Sequence, residues 1–272
     1  QYGGPPANYM HVSNDGLSVY HWKEQKGWLL ADTKMQPFVG YALTRTTEGS
    51  NNYEIHAEPV YTDQVIQLTK TASGMNGDNL FANSYLAPID VRKIDKDDII
   101  DPNNKLTRTF FLFNSGSWND WKQGAGDITA AGYDHSSAGH YYSIPFYSAK
   151  LIDDGTSQVV IPPMQGVYVY SEGEATIKFN YAKHVYGADA SDLNKPMRMP
   201  QEKTWSDSFR RVRIQATSKN SGADRMYIVQ EENTTSKYDN GYDGDNILAA
   251  KQVNIYTNEP FGQMEVSCSN NI

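Results

Sequence analysis

The chain has 272 residues, one cysteine and a formal net charge of −8. That length allows one large β domain or two domains of ordinary size, with enough chain for a hydrophobic core. The single cysteine, Cys268, excludes an internal disulfide framework and argues against a zinc site built from cysteines. The acidic balance argues against nucleic acid, because phosphate binding needs a concentrated basic surface, and the sequence has no apolar run near the roughly 20 residues of a membrane span.

The predicted elements are almost all strands. LSVYHW and GWLLAD (17–22 and 27–32) flank a glycine-containing loop and predict a hairpin. NYEIHAEPV and QVIQLTK (52–60 and 64–70) predict a second hairpin around YTD. Further strands are predicted, in chain order, at FVGYALTR, LTRTFFLFN, YYSIPFYSA, QVVIPP, GVYVYSE and ATIKFNYA.

APIDVRKIDKDDII (87–100) predicts a short helix that starts near Asp90, and it is the only helix we expect. Turn signals such as SNDG, DPNN and SEGE recur every ten to fifteen residues. That spacing is typical of a β-sandwich or jelly roll, and it argues against alternating β and α units.

The apolar pattern breaks at residues 186–203, where two prolines and several charged residues predict a linker. Four more strands are predicted beyond it, at FRRVRIQAT, ADRMYIVQE, ILAAKQVNIYT and QMEVSCS. In RRVR (210–213), alternation with Val212 predicts that Arg211 and Arg213 lie on a solvated strand face.

We therefore predict an all-β fold of two consecutive β-sandwich, jelly-roll-like domains, residues 1–185 and 204–272. The second domain has few strands, and a truncated sheet leaves an unpaired edge. We expect the rest of the parent chain, or a partner chain, to complete it. The opening QYGGPPANYM, without an initiator methionine or signal peptide, also indicates a piece of something longer.

The stretch YDNGYDGDN (238–246) is the densest group of acids. It fails the calcium-loop template of the EF-hand, since Ala250 stands where the bidentate glutamate belongs. Its asparagines, aspartates and glycines favour a wide turn between strands. A calcium site of another kind, built from Asp239, Asp243 and Asp245 with carbonyl oxygens, stays open, and no other cofactor is indicated.

The loop NSGSWNDWKQG (114–124) places Trp118 and Trp121 beside Asn119 and Asp120. Indole faces stack on sugar rings and the amide and acid hydrogen-bond hydroxyls, so the loop is a candidate carbohydrate platform. The alternative is that the rings cover the end of the sandwich core.

Other candidate catalytic groups have plain structural readings. The pairs Asp97–Asp98 and Asp153–Asp154 sit beside turn residues and are expected to be solvated, and DHSSAGH (134–140) reads as a solvated loop. The sequence has no G-x-S-x-G nucleophile motif and no glycine-rich phosphate loop. We therefore predict that the chain is not an enzyme.

At DNLFANSYLAPIDVRKI the chain resembles a phrase found in large exported proteins of Bacteroidetes-type bacteria. The matching residues are Asn79, Leu80, Asn83, Ser84, Tyr85, Ala87, Pro88, Ile89 and Asp90. Further phrases of those proteins follow in the same order, at FFLFNSGSWNDW, Tyr141–Pro145, Val160–Val169, RVRIQAT, ADRMYIV and KYDNGYDGDN. Ala82 replaces the usual glycine of the first phrase.

The family that the chain resembles consists of surface or secreted β-sandwich modules, often upstream of a C-terminal sorting domain and described as adhesin-like or of unknown function. The resemblance implies export to the cell surface or beyond the outer membrane, and a structural or adhesive role with a protein or glycan partner. It implies no catalytic residue. Strand edges and tyrosine-rich faces would be the means of binding, by strand addition or aromatic burial.

Overall fold

The structure, a computed structural model, describes residues 17–31, 35–45, 60–114, 140–155, 158–186, 209–218, 222–248 and 253–270. Its strands are β1 Leu17–Lys23, β2 Gly27–Leu30, β3 Tyr41–Arg45, β4 Gln64–Leu68, β5 Asp78–Ala82, β6 Ile89–Asp90, β7 Ile99–Ile100, β8 Thr109–Asn114, β9 His140–Pro145, β10 Val160–Ile161, β11 Gly166–Tyr170, β12 Ala175–Phe179, β13 Phe209–Ser218, β14 Gly222–Glu231, β15 Gly244–Asp245, β16 Thr257–Glu259 and β17 Gly262–Ser269. Its helical elements are α1 Ala149–Ile152, α2 Tyr181–His184 and the 3₁₀ turns Val91–Lys93 and Lys96–Asp98. The prediction of an all-β fold is confirmed.

One compact unit contains the described residues within Gln1–Thr107 and Val159–Met199. It holds two three-stranded sheets, ordered β2–β1–β3 and β4–β12–β7, and the antiparallel pairs β5–β11 and β6–β10. Alternation along the strands sorts the side chains between faces. In β4, Ile66 and Leu68 are buried while Val65 is exposed, and Phe81 packs on Phe179 with ring centroids 5.7 Å apart.

The other unit contains the described residues within Arg108–Gln158 and Pro200–Ile272. Strands β8 and β9 pair antiparallel, and a sheet runs in the order β13–β14–β17–β15, with β16 also on β17. Strands β13 and β14 form a ten-residue antiparallel ladder, and β14 pairs with β17 in parallel. Their inner face buries Val229, Val266 and Cys268.

The described residues within 108–158 lie in the unit that also contains β13 to β17. The predicted limits 1–185 and 204–272, the linker, the truncation of the second domain and the jelly-roll path stay predictions. The first hairpin and its third strand form the predicted sheet. For the second hairpin, residues 52–59 lie outside the described residues, and β4 pairs with β12.

The prediction of a single helix over 87–100 is wrong. Two 3₁₀ turns stand there between β6 and β7. Asp90 caps the first turn by accepting from Arg92 N at 3.1 Å, and Asp95 caps the second turn. The buried positions Ile89, Val91 and Ile94 do not repeat at helical spacing, so a continuous helix would expose part of them. The short helices α1 and α2 were not predicted.

The strand predicted over ILAAKQVNIYT is also wrong where that stretch is described before Thr257, at residues 247–248 and 253–256. Side chains form hydrogen bonds with the backbone N–H and C=O groups there. Ile255 N donates to the Asp224 carboxylate at 2.8 Å, and Ile255 O accepts from Asn246 Nδ2 at 3.1 Å. Side-chain partners of this kind compete with a strand ladder.

Buried polar side chains of the phrase DNLFANSYLAPID form hydrogen bonds with backbone groups outside the regular strands. Asn83 is fully buried; its Nδ2 donates to Ile161 O at 2.8 Å and to Ala87 O at 3.1 Å, and its Oδ1 accepts from Tyr85 N at 2.9 Å. Ser84, also buried, accepts from Phe38 N at 2.8 Å. Backbone groups without a ladder partner are thereby satisfied, which buried N–H and C=O groups require.

Candidate functional site

The aspartate-rich stretch 238–246 forms a wide turn, in agreement with the favoured prediction. The carbonyl oxygen of Asp239 accepts from the N–H groups of Tyr242 and Asp243, at 2.9 and 3.0 Å. The fully buried Asp243 carboxylate closes the turn from inside, because it accepts from Asp239 N at 2.7 Å and from Cys268 N on β17 at 2.7 Å. These acids therefore hold loop geometry.

The same turn is tied to the ends of β8 and β9. Arg108 N donates to the side-chain oxygen of Asn240 at 2.8 Å, and Tyr147 N donates to the carbonyl oxygen of Gly241 at 2.8 Å. Gly241 has a φ of 93°, and a Cβ there would stand 2.7 Å from the Tyr147 ring. Only glycine meets both the left-handed conformation and this close approach.

Each of the three aspartates of the predicted calcium site is hydrogen-bonded or at least partly buried. Asp239 Oδ2 accepts from Thr235 Oγ1 at 3.0 Å. Burial raises the pKa of Asp243 to about 6 and also raises the pKa of Asp245. Among the described residues, no group of three or more histidine, cysteine, aspartate or glutamate side chains is placed to hold a metal ion. Calcium binding by Asp239, Asp243 and Asp245 stays a prediction.

A second buried acid lies on β17. Glu265 is 2% exposed, and its Oε2 accepts from the N–H of Ser143 on β9 at 2.8 Å. Ser143 Oγ in turn donates to Asp245 O. Burial raises the pKa of Glu265 to about 8; the hydrogen bond from Ser143 opposes that rise, the charge of Asp224 adds to it and Arg225 opposes it. Burial therefore favours the protonated form of the Glu265 carboxyl.

In the first unit, His184 forms the centre of a charged cluster. The ring is fully buried; its Nδ1 accepts from Asn180 N at 2.9 Å, so the proton is on Nε2, 3.2 Å from Asp98 Oδ2. Lys183 Nζ reaches the carboxylates of Asp95 and Asp98, at 2.8 and 2.6 Å. Both imidazole nitrogens are engaged, and desolvation lowers the pKa of His184. The arrangement fastens α2 to the second 3₁₀ turn.

Two expectations about turn aspartates need correction. Asp98 is buried, with a 7% exposed residue surface, because it receives the His184 and Lys183 side chains; it is not a solvated turn residue. Asp154 is half-buried and pairs with Arg213 Nη1 at 2.6 Å. Both acids therefore form structural contacts with residues that are distant in sequence.

The expectation of a solvated arginine face on β13 is confirmed for the exposed Arg213 and needs correction for Arg211. Arg211 is half-buried, and its Nη1 donates to the carbonyl oxygens of Leu151 and Asp153, at 2.7 and 2.9 Å, at the end of α1. Val212 and Ile214 on the other face of the strand are 53% and 40% exposed. Arg211 is therefore packed against the end of α1, whereas Arg213 and the aliphatic residues Val212 and Ile214 are exposed.

The predicted carbohydrate residues Trp118, Asn119, Asp120 and Trp121 lie outside the described residues. Their role stays a prediction. The sequence reading also missed Glu265 and His184. A signal for Glu265 was available, since QMEVSCS places a charged residue inside a continuous strand pattern. For His184 the local pattern offered none, because its acid partner lies 86 residues away.

These features define a class: an all-β module in which the buried polar clusters named above are engaged in holding turns and strand ends. Over 237 residues the sequence is similar, at 27% identity, to the minor fimbrium subunit Mfa5 of Porphyromonas gingivalis. The match covers 85% of this chain and 18% of that protein, so the chain spans less than a fifth of its relative. No family model and no solved structure matches.

This similarity agrees with the resemblance to surface proteins of Bacteroidetes seen in the sequence phrases. Within the described ranges, no helix is long and apolar enough to cross a membrane.

Proposed function

We propose that the chain is a non-catalytic structural or adhesive module of a bacterial cell-surface or secreted protein, which mediates protein–protein or surface contacts outside the outer membrane. The observation that carries this proposal is the similarity to a fimbrium subunit along 85% of the chain. The all-β fold supports it, since layered antiparallel sheets form compact modules without a cofactor.

The chemistry of the described polar clusters is consistent with that role. The His184 ring has an N–H donor on one side and a carboxylate on the other, and Asp243 accepts backbone N–H groups on both oxygens. A general base must be able to reach a substrate proton, and a nucleophile needs such a base beside it. Each of these groups instead stabilises the fold.

Surface location is tested by thiol labelling on intact cells. The chain has one cysteine, Cys268, and it is buried. In the full-length protein, Asn103→Cys places a thiol in the exposed turn between β7 and β8. We expect a membrane-impermeant maleimide to label the peptide containing residue 103 in the variant.

The unsubstituted protein is the matched control, and its Cys268 peptide should label only after denaturation. Labelling of residue 103 that requires cell lysis would place the module inside the cell and contradict the proposal.

A further inference from the structure

Strand β13 lies at an edge of its sheet. Over ten residues it pairs antiparallel with β14, and no other described strand pairs with it. In an edge strand, the residues between those bonded to the neighbouring strand direct their backbone N–H and C=O groups outward. The outer edge of β13 is therefore long enough to receive a whole strand, since an average strand has about five or six residues.

The two faces of β13 differ in what covers them. One face carries Arg211 and Arg213, which contact the end of α1 and the residues that follow it. The other face carries Arg210, Val212 and Ile214, because side chains alternate along a strand. Arg210 is exposed, and Val212 and Ile214 are 53% and 40% exposed. We call these last three residues the Val212 row.

The aliphatic members of the Val212 row contribute little to the core. Val212 lies opposite Ile228 of β14, and Ile214 lies opposite Met226. Met226 is 7% exposed, whereas its partner Ile214 is 40% exposed, so burial ends at the edge strand. A solvated strand face is ordinarily polar. Two exposed β-branched residues in line therefore suit contact with apolar side chains of a partner.

The charge on this edge is of one sign. Every charged residue of β13 is an arginine, in a chain whose net charge is −8. Among the described residues, no carboxylate forms an ion pair with Arg210. Arg210 lies on the same face as Val212 and Ile214, two positions from the nearer of them. A carboxylate opposite Arg210 would match the row, because opposite charges in facing positions of neighbouring strands stabilise the pair.

The same charges disfavour a second copy of this chain as the partner. If two β13 strands paired antiparallel about Val212, Arg211 of one copy would lie opposite Arg213 of the other. Like charges in facing positions destabilise a strand pair, and charged side chains on exposed edges protect natural sheets from pairing with one another. An acidic strand from a different protein meets no such repulsion.

We propose that β13 is a docking edge for an extended, acidic segment of another protein, which adds to the sheet as a further strand. The segment places apolar side chains beside Val212 and Ile214 and a carboxylate beside Arg210. Main-chain hydrogen bonds along the edge supply affinity, and alternate side chains supply specificity. This inference deepens the proposed function and rests on it.

The alternation of the Val212 row fixes the sequence pattern of the partner. An antiparallel segment reads apolar–x–apolar–x–acid, and a parallel segment reads the same pattern in reverse. Short peptides carry the pattern in both directions, and each has a matched copy with lysine in place of the acid. We expect the 272-residue chain to bind acidic peptides of one direction with micromolar affinity that falls as salt rises. The lysine copies should bind about tenfold more weakly.

N-methylated peptides test whether the segment adds as a strand. N-methyl groups on alternate residues block the N–H groups along one edge of the peptide, and two sets of peptides block the two edges in turn. We expect one set to lose binding and the other to keep it, because only one edge of the added strand faces β13.

Arg210→Glu tests the charge contact without touching the core. It should weaken the binding of acidic peptides about tenfold and strengthen the binding of lysine copies by a similar factor, which a loss of folding would not do. Lys178→Glu is the matched control, because Lys178 is an exposed cation on β12, and it should leave both affinities unchanged. Val212→Thr keeps the branched shape and should weaken both kinds of peptide several-fold, with the melting temperature as a check on folding.

The proposal is overturned if no acidic peptide binds, if lysine copies bind equally well, or if Arg210→Glu leaves the preference for acid unchanged. Binding that neither set of N-methyl groups abolishes would rule out strand addition. Dimers of the chain that Val212→Lys disperses would overturn the proposal in favour of a second copy. Surface labelling at residue 103 with no peptide binding would reject this site and leave the proposed function standing.

Discussion

Glu265 offers the sharpest test of the structure, through the variant Glu265→Gln. Burial in the folded protein raises the pKa of the Glu265 carboxyl to about 8, against 4.5 for the free group. Between those values the folded state binds a proton that the unfolded state has released. Stability from this group is therefore full below about pH 4.5 and decreases as pH rises to 8.

The expected loss is about 1.4 kcal/mol for each pH unit in that interval, or about 5 kcal/mol across it as an order of magnitude. Glutamine has the same shape and still offers an oxygen to Ser143 N, but it does not ionise. We expect Glu265→Gln to remove most of this slope, so that the variant is more stable than the unsubstituted chain by about 3 kcal/mol at pH 7. Asp243, whose pKa is also raised, leaves a smaller slope below pH 6.

The assay uses Cys268, which lies on the same strand and is 2% exposed. Denaturant titrations at pH 5, 6, 7 and 8 are followed by pulse labelling of this thiol, and the two proteins are compared at equal pH because thiol reactivity itself varies with pH. Glu232→Gln, at an exposed position directly after β14 in the same unit, is the control and should behave like the unsubstituted chain. Parallel pH profiles for Glu265→Gln and the unsubstituted chain would refute the reasoning.

Three further predictions concern stability, each measured by thermal or denaturant unfolding. Gly241→Ala should destabilise the fold by about 2–3 kcal/mol. Gly155→Ala is the control, because its φ is 81° but no atom lies within 4 Å of the added Cβ, so it should lose only the stability that backbone strain costs. Equal losses for the two variants would argue against the close contact at Gly241. Asn83→Ala leaves buried backbone groups without hydrogen-bond partners and should cost about 2–4 kcal/mol of stability. A loss below about 0.5 kcal/mol would contradict the role of Asn83 in satisfying those groups. Because the pKa of His184 is lowered below 6.5, the free energy of unfolding should fall as pH drops through 6.5. His184→Gln should weaken that pH dependence. An unchanged pH profile would show that another group causes the dependence.

Local patterns in the sequence were sufficient to place most strands and the aspartate turn. Alternation and turn residues located β1, β4, β11 and β14, because those signals depend on neighbours within a few positions. The turn at 238–246 was likewise readable, since asparagine, aspartate and glycine act on their own backbone.

The sequence by itself determined that the chain is all-β. Only the tertiary structure decided which faces are covered: Arg211 is packed beneath α1, while Trp28 remains exposed beside an anchored Trp22. It also decided that burial raises the pKa of Glu265, and that the described residues within 108–158 lie in the unit of β13 to β17. The physical reason is that periodicity separates the two faces of a strand, whereas burial depends on residues more than 100 positions away, as with Ser143 and Glu265.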